Sequence, residues 1–525
     1  MACKGARVSV YRRIPRHFNL TTYFLDRNLE EGREQNVALY CDEEAYTYGD
    51  VAGLSNRAGH VLRELGVALE DRVLLALSDG LPFVAIWYGA VKIGAVVGEV
   101  YTFLQAKDYE YYLNYSRAKV VVVDDTTLPK IREITAHCPY LRCILVVGSA
   151  APLLDGEMGF ETLARAAPDE LAPADTTKDD IVLWKFTTGS TGAPKAAVHL
   201  QHDPYISFEY YAKGVLQMQA SDRVLAVPKL FFGYARDLVT LFSFGVGAAG
   251  IIFAQRSTPE TIFHLVEKFR PTLLVNVPTM MNQMVHHAQA DSVDLSSLRL
   301  NISSGEALPP ELYQKWQDVF GVQTLEGIGS SEAYHIYISN RPGNVKPGSA
   351  GQVVPGYQAM LVDGKGQAVP TGEIGELRVA GESTAIMYWN EHEKSKDTFS
   401  GDWINTGDIF RCDDEGFYWY QGRVDSMLKV GGIWLSPREV ESCLQEHPLV
   451  RECAVVEYRR NGLSLPRAYV VLTDQQFAVP DVAEELQQFV KSRLSAHKYP
   501  RDVRFVVALP RTATGKVDRR ALAKM

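Results

Sequence analysis

The sequence predicts an α/β fold: a large N-terminal domain of several subdomains with mostly parallel sheets and a β-rich part, then a small α+β C-terminal domain. Three observations predict it. Helical segments alternate with short apolar runs from about Ala38 to Asp408. From Gly348 the texture turns to strands punctuated by Gly and Pro. A compact tail of mixed elements follows Asp425. These place the domains at residues 1–424 and 426–525.

The first observation rests on runs such as RVLLAL, KVVVVDD, CILVVG, IVLWKF, AGIIFA and TLLVNV, preceded by helical segments such as DVAGLSNRAGHVLRELG. Continuous apolar runs of strand length suit strands buried on both faces, as in parallel sheets covered by helices. The second rests on GQVVPGYQAMLVDGKGQAVPTGEIGELRVAG and GFYWYQGR, which read as antiparallel strands. In the tail, SPREVESCLQEHP offers Ser436 as N-cap and Pro437 at the first helical position. Strands at ECAVVEYRR and PRAYVVLT, a helix at DVAEELQQFVKSRL and a strand at RDVRFVVAL complete it.

Composition narrows the class. The net charge of −9 argues against a general nucleic-acid binder, whose mark is a basic stripe. Seven scattered cysteines show no CxxC pair and no zinc-like spacing, which fits free thiols in a reducing compartment. The N-terminal MACKGARVSVYRRIPRHFNL is basic but lacks an apolar core, so a secretory signal is not expected. The longest apolar run, Leu238 to Ala254, is divided by Gly245, Gly247 and Gly250. A buried helix, a glycine turn and a buried strand is expected there rather than a membrane span. The expectation is a soluble, cytoplasmic protein.

Five stretches carry chemistry. FTTGSTGAPK, from Phe186, sets the hydroxyls of Thr187, Thr188, Ser190 and Thr191, Gly189, Gly192 and the cation Lys195 after a strand. Such a loop presents backbone N–H groups to an anion; it fails the Walker A, dinucleotide and nucleophile-elbow patterns. A phosphate-binding loop and a polar surface loop both remain open. EGIGSSEAYHIYISNRPG brings Gly327 and Gly329, on either side of Ile328 and small enough for a planar ring to lie on the backbone, and Glu332, a hard oxygen ligand suited to Mg²⁺ or a solvated turn residue. NISSGEALP places Gly305, Glu306 and Ala307 at a strand-to-helix junction of the kind that faces ligands in open α/β sheets; a helix start capped by Ser304 is the alternative. INTGDI and YQGRVDSMLKVGGIWL offer Asp408, Arg423, Lys429 and the permissive Gly431–Gly432 pair. LPRTATGKVDRRAL carries Lys516, which alone reads as a surface charge.

The order TTGSTGAPK, SSGEALP, GIGSSE, TGD, GR-x-D and a late TGK resembles the acyl-adenylate-forming superfamily across nearly the whole chain. PKLFFGYARDL, GSSEAYHIYISNRPG and MLKVGGIWLSPREVE look most like its benzoate-CoA ligase branch. The resemblance implies that ATP and a carboxylate give an acyl-adenylate and pyrophosphate. A mobile C-terminal domain then turns about a hinge, and CoA takes the acyl group. It implies that Thr187 to Lys195 hold the β and γ phosphates. Gly305, Glu306, Ala307 and Gly327 to Gly329 would line the adenine. Ser331 would sit near the α-phosphate, Glu332 would bind Mg²⁺, and Asp408 and Arg423 would hold the ribose. Asp425 matches the hinge, Lys516 the lysine of adenylation, and Lys429 with Gly431 and Gly432 the loop of the thioester step. An adenylate is water-labile, so a closing domain that excludes water has a purpose.

By the same resemblance, Phe232, Gly233, Tyr234, Gly329, His335 and Ile336 form the acid pocket. Glycines beside flat aromatic walls favour a planar ring. His335 reads either as a sensor of a ring substituent or as a packed core histidine. Arg236 and Asp237 follow the pocket tyrosine where the branch tends to have small residues. They form a structural ion pair or tune the pocket for a hydroxyl or amino substituent. The expected function is ATP-dependent aryl-CoA ligation of a benzoate or of a hydroxy- or aminobenzoate, with ATP, Mg²⁺ and CoA. No nucleic acid or membrane partner is expected, and a homodimer is left open. The alternatives are an enzyme loading an aryl acid onto a separate carrier protein, and a nucleotide-binding regulatory protein with a decayed site.

Overall fold

The computed structural model describes residues 9–149, 151–188, 193–424, 428–430, 433–460, 463–494, 498–511 and 517–525. The chain forms two compact units, one of Met1–Ala359 with Val379–Asn405 and one of Met360–Arg378 with Thr406–Met525.

Two large sheets organise the first unit. One has eight strands in the order Met387–Tyr388, Pro194–Leu200, Ile181–Thr188, Val96–Glu99, Arg72–Ala76, Val120–Val123, Cys143–Val146, Glu157–Gly159. From Ile181–Thr188 onward every pairing is parallel, while Pro194–Leu200 pairs antiparallel on both sides. Four of the apolar runs seen in the sequence, RVLLAL, KVVVVDD, CILVVG and IVLWKF, are strands of this sheet. Val120–Val123 and Cys143–Val146 are buried at every position, as two covered faces require. The helix Tyr48–Glu64 starts at a capping box between Thr47 and Asp50.

The second sheet has nine strands. Its parallel centre runs Thr324–Gly329, Leu300–Ser303, Leu273–Asn276, Arg223–Ala226, Ala249–Ile252, Val37–Cys41. Ile336–Ser339 and Gln352–Val353 extend one edge antiparallel, and Glu44–Thr47 the other. A cluster around Leu274, Ile251, Phe263, Met281 and the fully buried Trp316 forms its core. The apolar run from Leu238 resolves as expected. Helical turns lead to Gly247, whose φ of +77° ends the helix, and Ala249–Ile252 is a buried strand. Among the described residues no helix is long and apolar enough to cross a membrane.

Strand Trp403–Cys412 enters the second unit at Thr406 and there pairs antiparallel with Tyr418–Arg423, with Asp408 opposite Arg423. Val450–Arg460, Leu463–Leu472 and Asp502–Phe505 form a three-stranded sheet. Helix Pro437–Gln445 begins at Ser436, whose hydroxyl accepts from the Glu439 amide at 3.4 Å. Helix Pro480–Arg493 packs with it over a core of Leu435, Leu444, Val455, Val470 and Leu486.

Candidate active site

The glycine-rich loop joins two antiparallel strands. Thr187 lies opposite Lys195 and Thr188 opposite Pro194, so this is a hairpin and not a strand-to-helix turn. Gly189, Ser190, Thr191 and Gly192 lie outside the described residues. The ammonium of Lys195 sits 3.6 Å from the ring centroid of Tyr388. The hydroxyl of the same Tyr388 donates to the carboxylate of Glu332. Tyr388 is buried on a short strand beside Pro194–Leu200. One side chain that the sequence reading did not single out thus brings together the loop lysine and the expected metal ligand.

Glu332 lies in the turn between strands Thr324–Gly329 and Ile336–Ser339, and four successive carbonyls of that turn each have a donor. His199 Nε2 donates to Ser331 O at 2.6 Å, the Ala385 amide to Glu332 O at 2.8 Å, Ser383 Oγ to Ala333 O at 2.9 Å, and Lys185 Nζ to Tyr334 O at 2.6 Å. His199 is oriented by Asp203, 2.7 Å from its Nδ1. Burial pushes the Asp203 carboxyl up, but bonds from His199 and His202 outweigh it and hold it below its ordinary range. Glycine is needed at 329 by the hairpin itself, because a Cβ there would lie 2.3 Å from the His335 carbonyl oxygen.

Gly305, with φ +85°, and Glu306 are exposed in the loop after Leu300–Ser303; Glu306 accepts from Thr279 at 2.8 Å. The following helix begins at Pro310 with Pro309 at its N-cap, so Ser304 does not cap it.

Two of the expected acid-pocket residues, Tyr234 and His335, meet. Tyr234 donates its hydroxyl to Ile302 O at 3.1 Å, and its ring centroid lies 5.8 Å from that of His335. Tyr211 and Phe242 approach the same imidazole at 5.5 and 5.0 Å. Both come from π-helical turns, Phe208–Lys213 and Asp237–Phe242, a form often found at functional sites. His335 Nε2 lies 3.3 Å from Tyr234 O and so carries the proton, leaving Nδ1 as a lone pair with no partner among the described residues. Burial lowers its pKa from 6.5 to about 3, so the ring is neutral. Phe232 packs against Tyr101, and Ile336 opens the strand beyond the turn.

Next to this aromatic group lies a buried cluster of four charges. Asp237 receives Lys185 at 2.6 Å, Arg236 Nη2 at 2.6 Å and the Tyr334 hydroxyl at 2.9 Å. Arg236 also donates to Glu99, which accepts from Trp87 Nε1 at 2.6 Å. All four charged side chains are under a tenth exposed. Burial opposes the Asp237 anion, but Arg236 and then Lys185 hold its pKa below the carboxylate range. Burial draws Lys185 down to about 8, still cationic at neutral pH. Arg236 and Asp237 are the expected ion pair; Glu99 and Lys185 were missed. The available signal was a single charge in each of two apolar strand runs, GAVVGEV and IVLWKF.

In the second unit Arg423 donates to Asp408 Oδ1 at 3.0 Å and to Thr406 O at 2.8 Å. Asp425, Gly431, Gly432, Lys516 and the side chain of Lys429 lie outside the described residues. A cleft of about 290 Å³ lined by Ser78, Asp79, Asp124 and Gly148 holds none of the residues singled out from the sequence.

Comparison with known proteins supplies the family. The model described as "AMP-binding enzyme" matches residues 25–389, and "AMP-binding enzyme C-terminal domain" matches residues 439–516. The chain is a member of the AMP-binding enzyme family. Among its relatives, the benzoate–CoA ligase of Thauera aromatica is 39% identical, with 97% of this chain and 96% of that one covered. The 4-hydroxybenzoate–CoA/benzoate–CoA ligase of Rhodopseudomonas palustris is 36% identical, with 97% and 94% covered. Among solved structures, the anthranilate CoA ligase AuaEII in complex with anthranoyl-AMP is 37% identical with a TM-score of 0.92, covering 98% of each chain. For an AMP-binding enzyme, the hairpin lysine, the turn glutamate and the tyrosine between them form a polar end, and His335 with its aromatic neighbours an apolar one.

Proposed function

We propose that this AMP-binding enzyme is an ATP-dependent aryl-CoA ligase acting on benzoate or a hydroxy- or aminobenzoate. The observation that carries the reading is Tyr388, which ties Lys195 to Glu332 on the turn that continues into the aromatic pocket at His335. A cation and a carboxylate at one end suit a metal-bound polyphosphate, and flat walls at the other suit an aryl acid. The relatives that join aromatic acids to CoA, and the neighbour bound to anthranoyl-AMP, support the same substrate class.

In this mechanism an oxygen of the aryl carboxylate attacks the α-phosphorus of ATP, and the bond to the β-phosphate oxygen breaks, releasing pyrophosphate. The CoA sulfur then attacks the acyl carbon, and the bond to the AMP oxygen breaks. Lys195, Thr187, Thr188 and Gly189 to Gly192 neutralise and position the leaving pyrophosphate. Ser331 donates near the α-phosphate, and Gly305, Glu306, Ala307 and Gly327 to Gly329 receive the adenine. Glu332 is the residue that would hold Mg²⁺, which supplies charge neutralisation on the phosphates. A single half-buried carboxylate fits that ion, which takes few protein ligands and keeps phosphates and water. Asp408 and Arg423 are assigned to the ribose, Lys516 to adenylation, Lys429 with Gly431 and Gly432 to the thioester step, and Asp425 to a hinge between 1–424 and 426–525.

The test is pyrophosphate release with ATP and Mg²⁺ against benzoate, its hydroxy and amino derivatives, a cinnamate and short fatty acids, with and without CoA. CoA-dependent turnover of an aromatic acid is expected. Turnover of aliphatic acids alone overturns the pocket assignment. Pyrophosphate release without any CoA product points instead to a carrier protein as acceptor.

A further inference from the structure

Seven described non-glycine residues have positive φ, and six of them, Asp42, Glu70, Arg117, Gln217, Arg270 and Asn390, are exposed. The seventh is Tyr334, at φ +76° and fully buried. A bulky residue in the left-handed region is strained, and it stays there only when its surroundings over-determine it. Those surroundings are the charge cluster. Lys185 donates to the Tyr334 carbonyl at 2.6 Å and lies 3.7 Å over its ring centroid. Asp237 accepts from Lys185 at 2.6 Å and from the Tyr334 hydroxyl at 2.9 Å. Backbone, ring and phenol of one residue are therefore gripped by one ion pair. Gly233 makes room for it, since a Cβ there would lie 3.0 Å from Lys185 Cε and Nζ.

This grip is more than packing, on two grounds. A buried ion cluster is a poor source of stability, because apolar residues of the same volume often do as well; its attested use is to specify one geometry. The second ground is the place of Tyr334 in the chain. Tyr334 stands between Glu332 and His335, so its dihedral sets how the carboxylate at the polar end is aimed relative to the wall of the acid pocket.

We propose that Lys185 and Asp237 are positioning residues that hold Tyr334 in its left-handed conformation and so fix Glu332 and His335 in register for adenylation. The inference rests on the aryl-CoA ligase reading for its kinetic consequence and on geometry alone for its structural one. Neither residue touches the reacting atoms.

The experiment compares wild type with Lys185→Met, Lys185→Arg and Tyr334→Phe. It measures kcat/KM for the aryl acid, KM for ATP, thermal melting, and φ at residue 334 in a crystal structure of Lys185→Met. In the folded Lys185→Met variant, kcat/KM for the acid falls on the order of tenfold to a hundredfold. KM for ATP stays within about twofold, the pattern of misplacement rather than lost nucleotide binding. Lys185→Arg, which keeps a cationic donor, recovers part of the loss, and residue 334 leaves the left-handed region in the Lys185→Met crystal. A melting shift without a change in kcat/KM, or a left-handed residue 334 in that crystal, overturns the proposal. If Lys185→Met does not fold, Tyr334→Phe decides: a smaller loss with the same split supports the grip, and no loss overturns it. A wild type that converts no aromatic acid sinks the ligase reading alone, and the crystal comparison still judges the grip.

Discussion

His335→Leu should remove most of one acid-sensitive component of stability. In the folded protein burial lowers the imidazole pKa to about 3, against 6.5 in the unfolded chain. Between those values the unfolded chain holds a proton that the folded chain does not. The stability His335 contributes is therefore complete above pH 6.5 and is lost as pH falls toward 3. From pH 7.5 to pH 5 the loss is about 2 kcal/mol, fixed by the unfolded value and by a folded value anywhere well below 5. Leucine does not titrate, so the variant escapes this loss. At pH 7.5 it gives up only the bond from Nε2 to the Tyr234 carbonyl, worth about 1 kcal/mol. The assay is urea unfolding of wild type and variant at both pH values. The difference between them should move by about 2 kcal/mol in favour of the variant at pH 5. A difference that stays within about 0.5 kcal/mol across that range would refute the reasoning, because it would mean that His335 takes up a proton in the folded state as readily as in the unfolded one.

Three further outcomes follow from the same geometry. Tyr388→Phe keeps the ring under Lys195 but removes the bond to Glu332; a bond to a charged group is worth about 1.5–3 kcal/mol, so KM for ATP·Mg should rise on the order of tenfold with KM for the acid unchanged, as read from initial rates. Lys516→Ala should abolish adenylation while thioester formation from supplied acyl-adenylate survives; adenylation at the wild-type rate would show the assignment to be wrong. Trp316→Ala, in the core of the nine-stranded sheet, should cost about 3–5 kcal/mol of stability, seen as a lowered urea midpoint, without changing KM for the acid in the folded fraction.

Much of the architecture was legible because its signals are local. VVVV and CILV are strands because a parallel sheet with both faces covered requires unbroken apolar runs, and Gly247 ends its helix because only a residue free of Cβ adopts that φ cheaply. Ser436 and Pro437 mark a helix start in sequence and structure alike. The hairpin form of the glycine-rich loop was not legible, since a turn of that composition joins a strand to a helix as readily as to another strand. The proline start of the helix after Gly305 was legible, since Pro310 stands at its first position; only the alternative of a cap at Ser304 fails.

The sequence by itself determined the fold class, the order of the motifs and the family they resemble, because each is written in neighbouring residues. Only the tertiary structure decided that Tyr388 joins Lys195 to Glu332, and that Glu99, Lys185, Arg236 and Asp237 form one neutral cluster gripping Tyr334. Apart from the neighbours Arg236 and Asp237 and the single turn that holds Glu332 and Tyr334, those residues lie far apart along the chain. Spacing reports which face of its own element a side chain occupies. It does not report which distant charge meets it there. A buried charge announces that some partner exists, and the crossover of strands and helices chooses which one.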